Sequence, residues 1–271
     1  VIEPFFGNGL GSDDEALEQC TYGGVDFVRT TDSAAAQYAP QLTALQMPYL
    51  YDSDEHLFRV LDGTVGQQAL DSLAPAGLTG LTYFYAGYRC FFTVDQPISS
   101  LDDMRGLRLG TGALGDMDLL VEQWGAIAVP LTREQFALAL RAGQIDGAED
   151  NLPTYVDSGY YKLAPYWTYD RHTYNADVLI ASSSTWDDFS EEELAMLRDC
   201  ASKAAAWQRD HWLSAEVRAM LHASRSGCYM GLLDEEQIAH FRAAAQPLYD
   251  QLTAEQQRVV EEVGNLADEV E

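Results

Sequence analysis

The chain has 271 residues, of which 47% are apolar, and this is enough to bury one large or two medium hydrophobic cores. Its 43 acidic residues outnumber 16 basic ones and give a formal charge of −27, so repulsion argues against nucleic acid or an acidic membrane surface as a partner. No window approaches the ~18 uninterrupted apolar residues of a membrane-spanning helix, and no basic and apolar leader opens the chain. The sequence therefore predicts a globular protein of about two domains that is not itself membrane-embedded.

The pattern of apolar residues predicts short strands that alternate with helices along the whole chain. Strands are expected at 25–28, 82–85, 90–94, 107–109, 126–129, 144–147 and 178–181, and a further strand begins at Cys228. Helices are expected at 13–21, 54–63, 66–74, 114–124, 132–142 and 190–222, and two more in 235–271. Capping boxes at Thr132 and Ser190 mark two helix starts, and the longest helix is expected to be straight or broken near Ser214. Such alternation predicts an α/β fold.

The segment GQIDGAEDN, from Gly143 to Asn151, ends two consecutive βα units. We expect its strand, 144–147, to deliver Glu149, Asp150 and Asn151 to a loop at its carboxyl end. Open α/β sheets bind ligands at this end of their strands. The three side chains are therefore predicted acceptors for the hydroxyl groups of a ligand.

Patterns for catalysis, metals and cofactors are weak. GTGALG (110–115) matches G-x-G-x-x-G and raises a nicotinamide dinucleotide enzyme as a remote alternative, but no acidic residue stands about 20 positions on, at 128–131. The chain has no G-x-S-x-G and no H-x-x-x-H spacing, so we expect no enzyme, no cofactor and no metal. The four cysteines lack C-x-x-C spacing; Cys200 and Cys228 either pair in an oxidising compartment or remain separate thiols, with Cys20 and Cys90 free.

Several stretches, in the same order, resemble the solute-binding subunits of tripartite ATP-independent periplasmic (TRAP) transporters. That family reads approximately D-x-K-G-L-K-I-R, L-G-A-x-x-x-P-x and A-L-Q-x-G-x-x-D-G-x-E-N where this chain has LDDMRGLRL (101–109) and WGAIAVPLTREQFALALRAGQIDGAEDN (124–151). Residues 10–27, 45–66, 77–93 and 182–201 also look like segments of that family. The likeness thus covers nearly the whole chain.

The resemblance implies an α/β, two-lobed periplasmic-binding-protein-like fold, with a cleft between the lobes and a long lobe-spanning helix. Lobe I would comprise 1–87 and 176–213, and lobe II 88–175 and 214–271, with crossings near Ala86–Gly87 and Asn175–Val178. Members of the family begin with a strand and a long helix ahead of the segment that matches Val1–Gly11. We therefore expect this N-terminal piece to be missing here.

The function implied by the resemblance is that of a periplasmic or otherwise extracytoplasmic solute-binding protein. It would capture a small organic acid, with sugar acids among the candidates, by closing its lobes and would deliver it to membrane permease subunits. An alternative is a degenerate or sensory relative that signals through a receptor. Neighbouring permease genes would separate these two readings.

The resemblance also places ligand-binding residues around the cleft. Lobe I would contribute Arg29 and Thr31, lobe II Tyr88 and Arg89, and the loop after the DG turn Asp150 and Asn151. Arg89 is the strongest candidate, because a guanidinium can hold a carboxylate through two parallel charge-assisted hydrogen bonds.

One position departs from the family pattern. The final arginine of D-x-K-G-L-K-I-R is the family's principal carboxylate clamp, and Gly110 stands in its place here. Gly110, Thr111 and Gly112 open a predicted helix that carries Asp116 and Asp118 near its start. Backbone N–H groups at such a helix start bind anions without a side chain, so we expect these three residues to contribute in that way.

Overall fold

The computed structural model describes residues 2–7, 9–112 and 117–267. The strands are β1 (Phe27–Thr31), β2 (Leu78–Thr93), β3 (Arg108–Gly110), β4 (Ile127–Val129), β5 (Gly147–Asp150), β6 (Tyr166–Ser182) and β7 (Tyr229–Leu232). The α-helices are α1 (Asp13–Thr21), α2 (Asp32–Ala35), α3 (Gln41–Ala44), α4 (Asp54–Asp62), α5 (Thr64–Asp71), α6 (Leu101–Met104), α7 (Met117–Gln123), α8 (Arg133–Arg141), α9 (Leu152–Asp157), α10 (Ser183–Asp187), α11 (Glu191–Arg225), α12 (Glu235–Ala244), α13 (Gln246–Tyr249) and α14 (Ala254–Ala267).

The strands of the described residues form one open, mixed sheet in the order β1-β6-β2-β5-β3-β4, with β7 beside β6. β3 is parallel to β4 and β5, whereas β2 is antiparallel to β5 and β6. The predicted α/β class is confirmed, but the strict βα alternation is wrong. β2 and β6, with 16 and 17 residues, are long antiparallel neighbours in the middle of the sheet.

The two strands predicted at 82–85 and 90–94 are one continuous strand, β2. The ladder with β6 shifts register between Tyr85 and Tyr88, opposite Asn175, and Gly87 has a left-handed φ of 82°. This β-bulge interrupts the side-chain alternation, so the sequence pattern reads as two strands. Arg89 therefore lies inside a strand and does not follow a strand-entry turn.

The bulge is held against the long helix α11. The side-chain amide of Gln208 accepts from the N–H of Tyr85 (3.0 Å) and donates to its C=O (2.8 Å), in place of a strand partner. A Cβ at Gly87 would lie 2.9 Å from both Trp212 Nε1 and Glu216 Oε1. Glycine is required here both by its φ and by the close approach of the helix.

The strand expected at 144–147 is instead β5, Gly147–Asp150. Glu149 and Asp150 lie on this strand, opposite Phe91 and Cys90, and not in a loop after it. All four residues of β5 are buried, so its polar residues resemble a loop in the sequence although they lie inside the protein. A Cβ at Gly147 would lie 2.4 Å from the Phe92 carbonyl oxygen, which shows how closely the two backbones approach.

Most predicted helices are confirmed within two or three residues, and the capping boxes at Thr132 and Ser190 are both present. Residues 114–116 of the helix predicted at 114–124, which include Gly115 and Asp116, lie outside the described residues. Residues 268–271 of the tail also lie outside them. Helix α11 is continuous through Ser214. The described part of the tail contains three helices where two were expected.

The pairing of Cys200 with Cys228 is wrong, and both are free thiols, as are Cys20 and Cys90. Cys200 lies near the start of α11, and the 25 residues from there to Arg225 span roughly 37 Å of helix. The three residues after Arg225 could bring the chain back toward Cys200 by ~10 Å at most, so the two sulfurs cannot meet. The Cys228 thiol instead donates to the Tyr161 carbonyl oxygen at 3.6 Å.

Two hydrophobic cores support the sheet. The larger packs helices of both chain halves against β2 and β6, and the smaller is centred on Phe91, Trp124 and Phe241. Met47 and Tyr49, from the segment after α3, belong to the smaller core, and the Tyr49 N–H donates to the His172 carbonyl (2.8 Å). The segment at 47–49 is thus fixed against β6, where it forms one wall of a cavity.

Candidate functional site

A cavity of about 310 Å³ lies between α2, α3, α7, α13 and the central strands. Its polar walls are Ser33, Gln37, Thr43, Gln46, Thr173 and Asn175, and its apolar walls are Ala36, Met47, Pro48, Met117, Leu120 and Leu248. Two charged side chains, Arg89 and Glu149, complete the lining. The volume is at the lower end of the range for small-molecule sites, about 300–1,000 Å³.

Arg89 and Glu149 form a buried, two-pronged ion pair. Arg89 is 2% exposed and Glu149 is fully buried. Arg89 Nε donates to Glu149 Oε2, and Nη2 donates to Oε1 at 2.6 Å and to the Glu149 carbonyl at 3.0 Å. Burial alone raises the pKa of Glu149, but the Arg89 charge and then His172 outweigh burial and lower this pKa to about 2. Arg89 is thus held in place by a permanently ionised partner.

The remaining Arg89 nitrogen, Nη1, has only a long contact of 3.5 Å with Asp150 Oδ1. Asp150 is fully buried, and its other oxygen lies 3.4 Å from Arg133 Nε without a hydrogen bond. Burial raises the pKa of Asp150, although Arg89 and Arg133 oppose this effect. Nη1 is therefore the part of the guanidinium with donor capacity left for a ligand.

His172 and Asp170 extend the charge network. His172 Nδ1 lies 2.6 Å from Asp170 Oδ2, and its Nε2 lies 3.8 Å from Glu149 Oε2, which is too long for a hydrogen bond. Burial lowers the pKa of His172, but Asp170 and then Glu149 outweigh burial and raise this pKa to about 9. With His172 protonated, the four charges of Arg89, Glu149, His172 and Asp170 sum to zero.

Thr173 offers a free polar group at the cavity wall. Its hydroxyl oxygen is buried without a hydrogen-bond partner in the described residues, and Thr173 itself is 7% exposed. Buried polar groups are nearly always hydrogen-bonded, so an unpaired one at a cavity points to a ligand or to water. On the opposite wall the Ser33 hydroxyl donates to Gln46 Oε1 at 2.6 Å.

Residues 1–256 match the profile of the bacterial extracellular solute-binding proteins, family 7. The chain belongs to this family. A solute-binding protein of Chromohalobacter salexigens is 28% identical over 246 residues, which are 91% of this chain and 73% of that protein.

Solved structures of TRAP periplasmic solute-binding proteins are similar throughout. One from Xanthobacter autotrophicus, with bound β-D-galacturonate, has a TM-score of 0.87 and 28% identity and covers 95% of this chain and 86% of that chain. Another, from Chromohalobacter salexigens with bound D-glucuronate, also has a TM-score of 0.87 and 28% identity. It covers 96% of this chain and 85% of that chain. The two-lobed fold and the TRAP solute-binding function expected from the sequence are confirmed. In this solute-binding protein no described helix is long and apolar enough to cross a membrane.

Of the nine residues predicted to bind the ligand, Arg89 lines the cavity. Arg29 is half exposed, pairs with Asp177 at 2.6 Å and lies over the Phe84 ring. The Thr31 hydroxyl accepts from the Ala34 N–H at 3.1 Å and thereby caps α2. Both side chains have local structural partners, and neither is among the lining residues of the cavity.

Asp150 and Asn151 are not among the residues that line the cavity. Asp150 contacts Arg89, as described, and the Asn151 side chain caps α9 by accepting from the Thr154 N–H at 2.9 Å. Glu149, expected beside them as an acceptor, does line the cavity. Asp150 thus contacts Arg89 but is not itself among the residues that line the cavity.

The segment at Gly110–Gly112 ends β3 close to α7. A Cβ at Gly110 would lie 2.8 Å from Phe136 Cε1 and 3.2 Å from Ile145 Cδ1, so position 110 faces packed side chains. Thr111 is fully buried, and its hydroxyl donates to the Asp118 carboxylate. Residues 113–116, which follow Gly112, lie outside the described part of the chain. Anion binding by these backbone amides stays a prediction.

Tyr88 lines a different cavity of this solute-binding protein. Its ring lies under the Arg171 guanidinium, 4.5 Å from the ring centroid, and beside Tyr169 and Tyr174. Because neighbouring side chains of a strand point to opposite faces of the sheet, the side chains of Tyr88 and Arg89 lie on different faces of β2.

Sequence reasoning missed the amides and hydroxyls of the cavity. One signal was present at Ser33, which follows β1 in the polar run TTDS and so satisfies the same carboxyl-end rule that was applied to 149–151. Thr173 and Asn175 had no comparable signal, because the strand that carries them was not recognised. The described residues contain no group of three or more His, Cys, Asp or Glu placed to hold a metal ion.

The raised pKa of His172 leads to a prediction about how the stability of the fold depends on pH. The folded-state pKa of His172, about 9, exceeds the ordinary value of 6.5, so protonated His172 stabilises the fold below pH ~6.5 and this contribution is lost as pH rises through 9. We expect the His172→Gln variant to be less stable than wild type at pH 6 and the difference to shrink by pH 10. Urea unfolding at both pH values measures it. A difference that is constant with pH would contradict a protonated His172.

Proposed function

We propose that this protein binds a sugar acid in the cavity beside Arg89 and delivers it, chemically unchanged, to the permease subunits of a TRAP transporter in the periplasm. The observation that carries the proposal is the lining of the cavity. It combines one guanidinium nitrogen with spare donor capacity, Arg89 Nη1, with six amide or hydroxyl side chains. A carboxylate and several ligand hydroxyls match this set.

Each part of the cavity has a counterpart on a sugar acid. The ligand carboxylate would accept from Arg89 Nη1 and from the unpaired Thr173 hydroxyl. Ligand hydroxyls would meet the side chains of Ser33, Gln46 and Asn175, which can both donate and accept. Relatives that share 28% identity and hold galacturonate or glucuronate support this ligand class.

The ion pair with Glu149 sets the strength of the site. Because Glu149 already neutralises Arg89, the guanidinium attracts a carboxylate less than an unpaired arginine would. The hydroxyl partners must then supply much of the affinity, and this favours acids that carry several hydroxyl groups over simple carboxylates. Glu149 also blocks a two-pronged grip on the ligand, so the carboxylate would be held at one edge of the guanidinium.

Closure of the two lobes would follow the division expected from the sequence, 1–87 with 176–213 and 88–175 with 214–271. The bulge at Gly87 lies opposite Asn175 in the β2–β6 ladder, so the two crossings are adjacent. Asn175 also lines the cavity. A ligand that contacts Asn175 would therefore act directly on the segment that bends, and closure would stabilise the ligand-bound form.

A calorimetric panel tests the proposal. D-galacturonate and D-glucuronate are expected to bind, D-galactose and D-glucose at least tenfold more weakly because they lack the carboxylate, and succinate more weakly because it lacks hydroxyls. At a hundredfold excess over its Kd, a bound acid should also add about 2.7 kcal/mol to the free energy of unfolding. No binding by any sugar acid, or turnover of one, would contradict the proposal.

A further inference from the structure

A second cavity, of about 360 Å³, lies beneath α11. Tyr88 and Arg171 line it, whereas Arg89 and Thr173 of the same two strands line the cavity described above. Arg171 has a left-handed φ of 47°, which is rare for a residue with a side chain and breaks the alternation along β6. The two cavities therefore use different side chains of β2 and β6.

Glu216, on α11, is the buried carboxyl group of this second cavity. It is 7% exposed, and its hydrogen bond comes from the Trp212 indole N–H, at 3.0 Å on Oε1. Within the described chain no Lys, Arg or His nitrogen lies within 4 Å of it. An ionised carboxylate buried without a cation in direct contact is unfavourable, so Glu216 itself lacks a paired positive group.

Two more acceptors line the same cavity. Asp54 presents a second carboxylate, which accepts from the Tyr85 hydroxyl at 2.7 Å. The Tyr169 hydroxyl is buried without a hydrogen-bond partner in the described residues. A primary ammonium group has three N–H donors, and Glu216, Asp54 and Tyr169 supply three acceptor groups.

Arg171 supplies the opposite charge. Its guanidinium lies over the Tyr88 ring and, in the described part of the chain, has no carboxylate within 4 Å. Arg171 and Glu216 thus line one cavity without pairing with each other. The space between them has apolar walls from Leu152, Leu213, Val217 and Met220.

We propose that this second cavity binds an aliphatic α-amino acid, with its ammonium group on Glu216 and Asp54, its carboxylate on Arg171 and its side chain against the apolar residues of α11. A zwitterion satisfies both unpaired charges at once. An amine would leave Arg171 without a partner, and a carboxylic acid would leave Glu216 without one.

Three matched probes test the assignment by calorimetry. L-leucine carries both charged groups, isopentylamine lacks the carboxylate, and 4-methylpentanoate lacks the ammonium. We expect leucine to bind and each analogue to bind at least tenfold more weakly. If leucine does not bind at millimolar concentration, or if either analogue binds as tightly as leucine, the assignment is wrong.

Variants locate the binding and keep the test independent of the sugar-acid site. Glu216→Gln retains an acceptor for Trp212 and should weaken leucine binding at least tenfold, and Arg171→Gln, at an exposed position, should do the same. Glu262→Gln, on the exposed face of α14, is the control and should change nothing. Unchanged leucine affinity in both cavity variants would show that leucine binds elsewhere.

The pH dependence gives a further readout. Burial, and then the charge of Asp54, raise the pKa of Glu216 to about 7, with Trp212 and Arg171 opposing them. Tyr88 and Tyr169 also face the cavity and stay neutral, since burial raises their pKa values. Because only ionised Glu216 holds the ammonium, leucine affinity should fall about tenfold from pH 8 to pH 6. The same fall in Glu216→Gln would overturn the role of Glu216.

Discussion

Replacing Arg89 by alanine is expected to lower the free energy of unfolding by about 3–5 kcal/mol, because it removes the nearest cation from the buried Glu149 and the main opposing charge from Asp150. The same change should remove measurable binding of a sugar acid. An arginine without such a partner would show the loss of its charge mainly in ligand binding, at ~2–5 kcal/mol. Because Arg89 is paired with Glu149, a large part of the effect should instead appear as a lower free energy of unfolding. Urea unfolding of the ligand-free protein measures it.

A matched set of variants separates the two effects. Arg89→Ala combined with Glu149→Gln removes the uncompensated carboxylate and should recover part of the stability but none of the binding. Arg29→Ala, which breaks a half-exposed pair with Asp177, is the control and should cost no more than about 1 kcal/mol. Wild-type stability of Arg89→Ala would mean that the buried pair does not stabilise the fold.

Gly110→Arg is expected to prevent stable folding and not to restore a carboxylate clamp. A side chain at this position would begin 2.8 Å from the Phe136 ring and 3.2 Å from Ile145, both of which are buried. A charged side chain inserted there is both too large and unpaired, and either fault is strongly destabilising. Soluble yield and thermal unfolding measure the outcome.

Gly264→Arg is the matched control for this substitution. Gly264 lies on the exposed face of α14 with open space around it, so arginine there should be neutral or stabilising by up to about 1 kcal/mol. A folded Gly110→Arg protein with higher affinity for galacturonate would show that position 110 faces the ligand, as the family pattern suggested.

The fold was largely predictable because local signals were strong. Helix α1 has the predicted bounds, and the capping boxes at Thr132 and Ser190 mark true helix starts. These features depend on residues within one or two helical turns of each other. β6 was recognised only at 178–181, because its middle carries Asp170, Arg171 and His172, which read as a loop when their partners are unknown.

The candidate site was predictable only at Arg89, and its state was not predictable at all. Whether that guanidinium is free depends on Glu149, which lies 60 residues away and meets it through the register that sets Phe91 opposite Glu149. A sequence pattern identifies the residue type but not its partner. For the same reason Tyr88 was expected beside the ligand, although alternation along β2 directs it to the other cavity.

The two long central strands limit how this protein can be divided. β2 continues through the bulge at Gly87, and β6 continues through the opposite residue, Asn175. Helix α11 crosses the same region as a single helix. A cut that separates the two proposed lobes would pass through the middle of all three elements and expose the edges of the remaining strands. Neither half should therefore be soluble when expressed alone, and sites for inserting a reporter domain must be sought in the outer loops, away from these three segments.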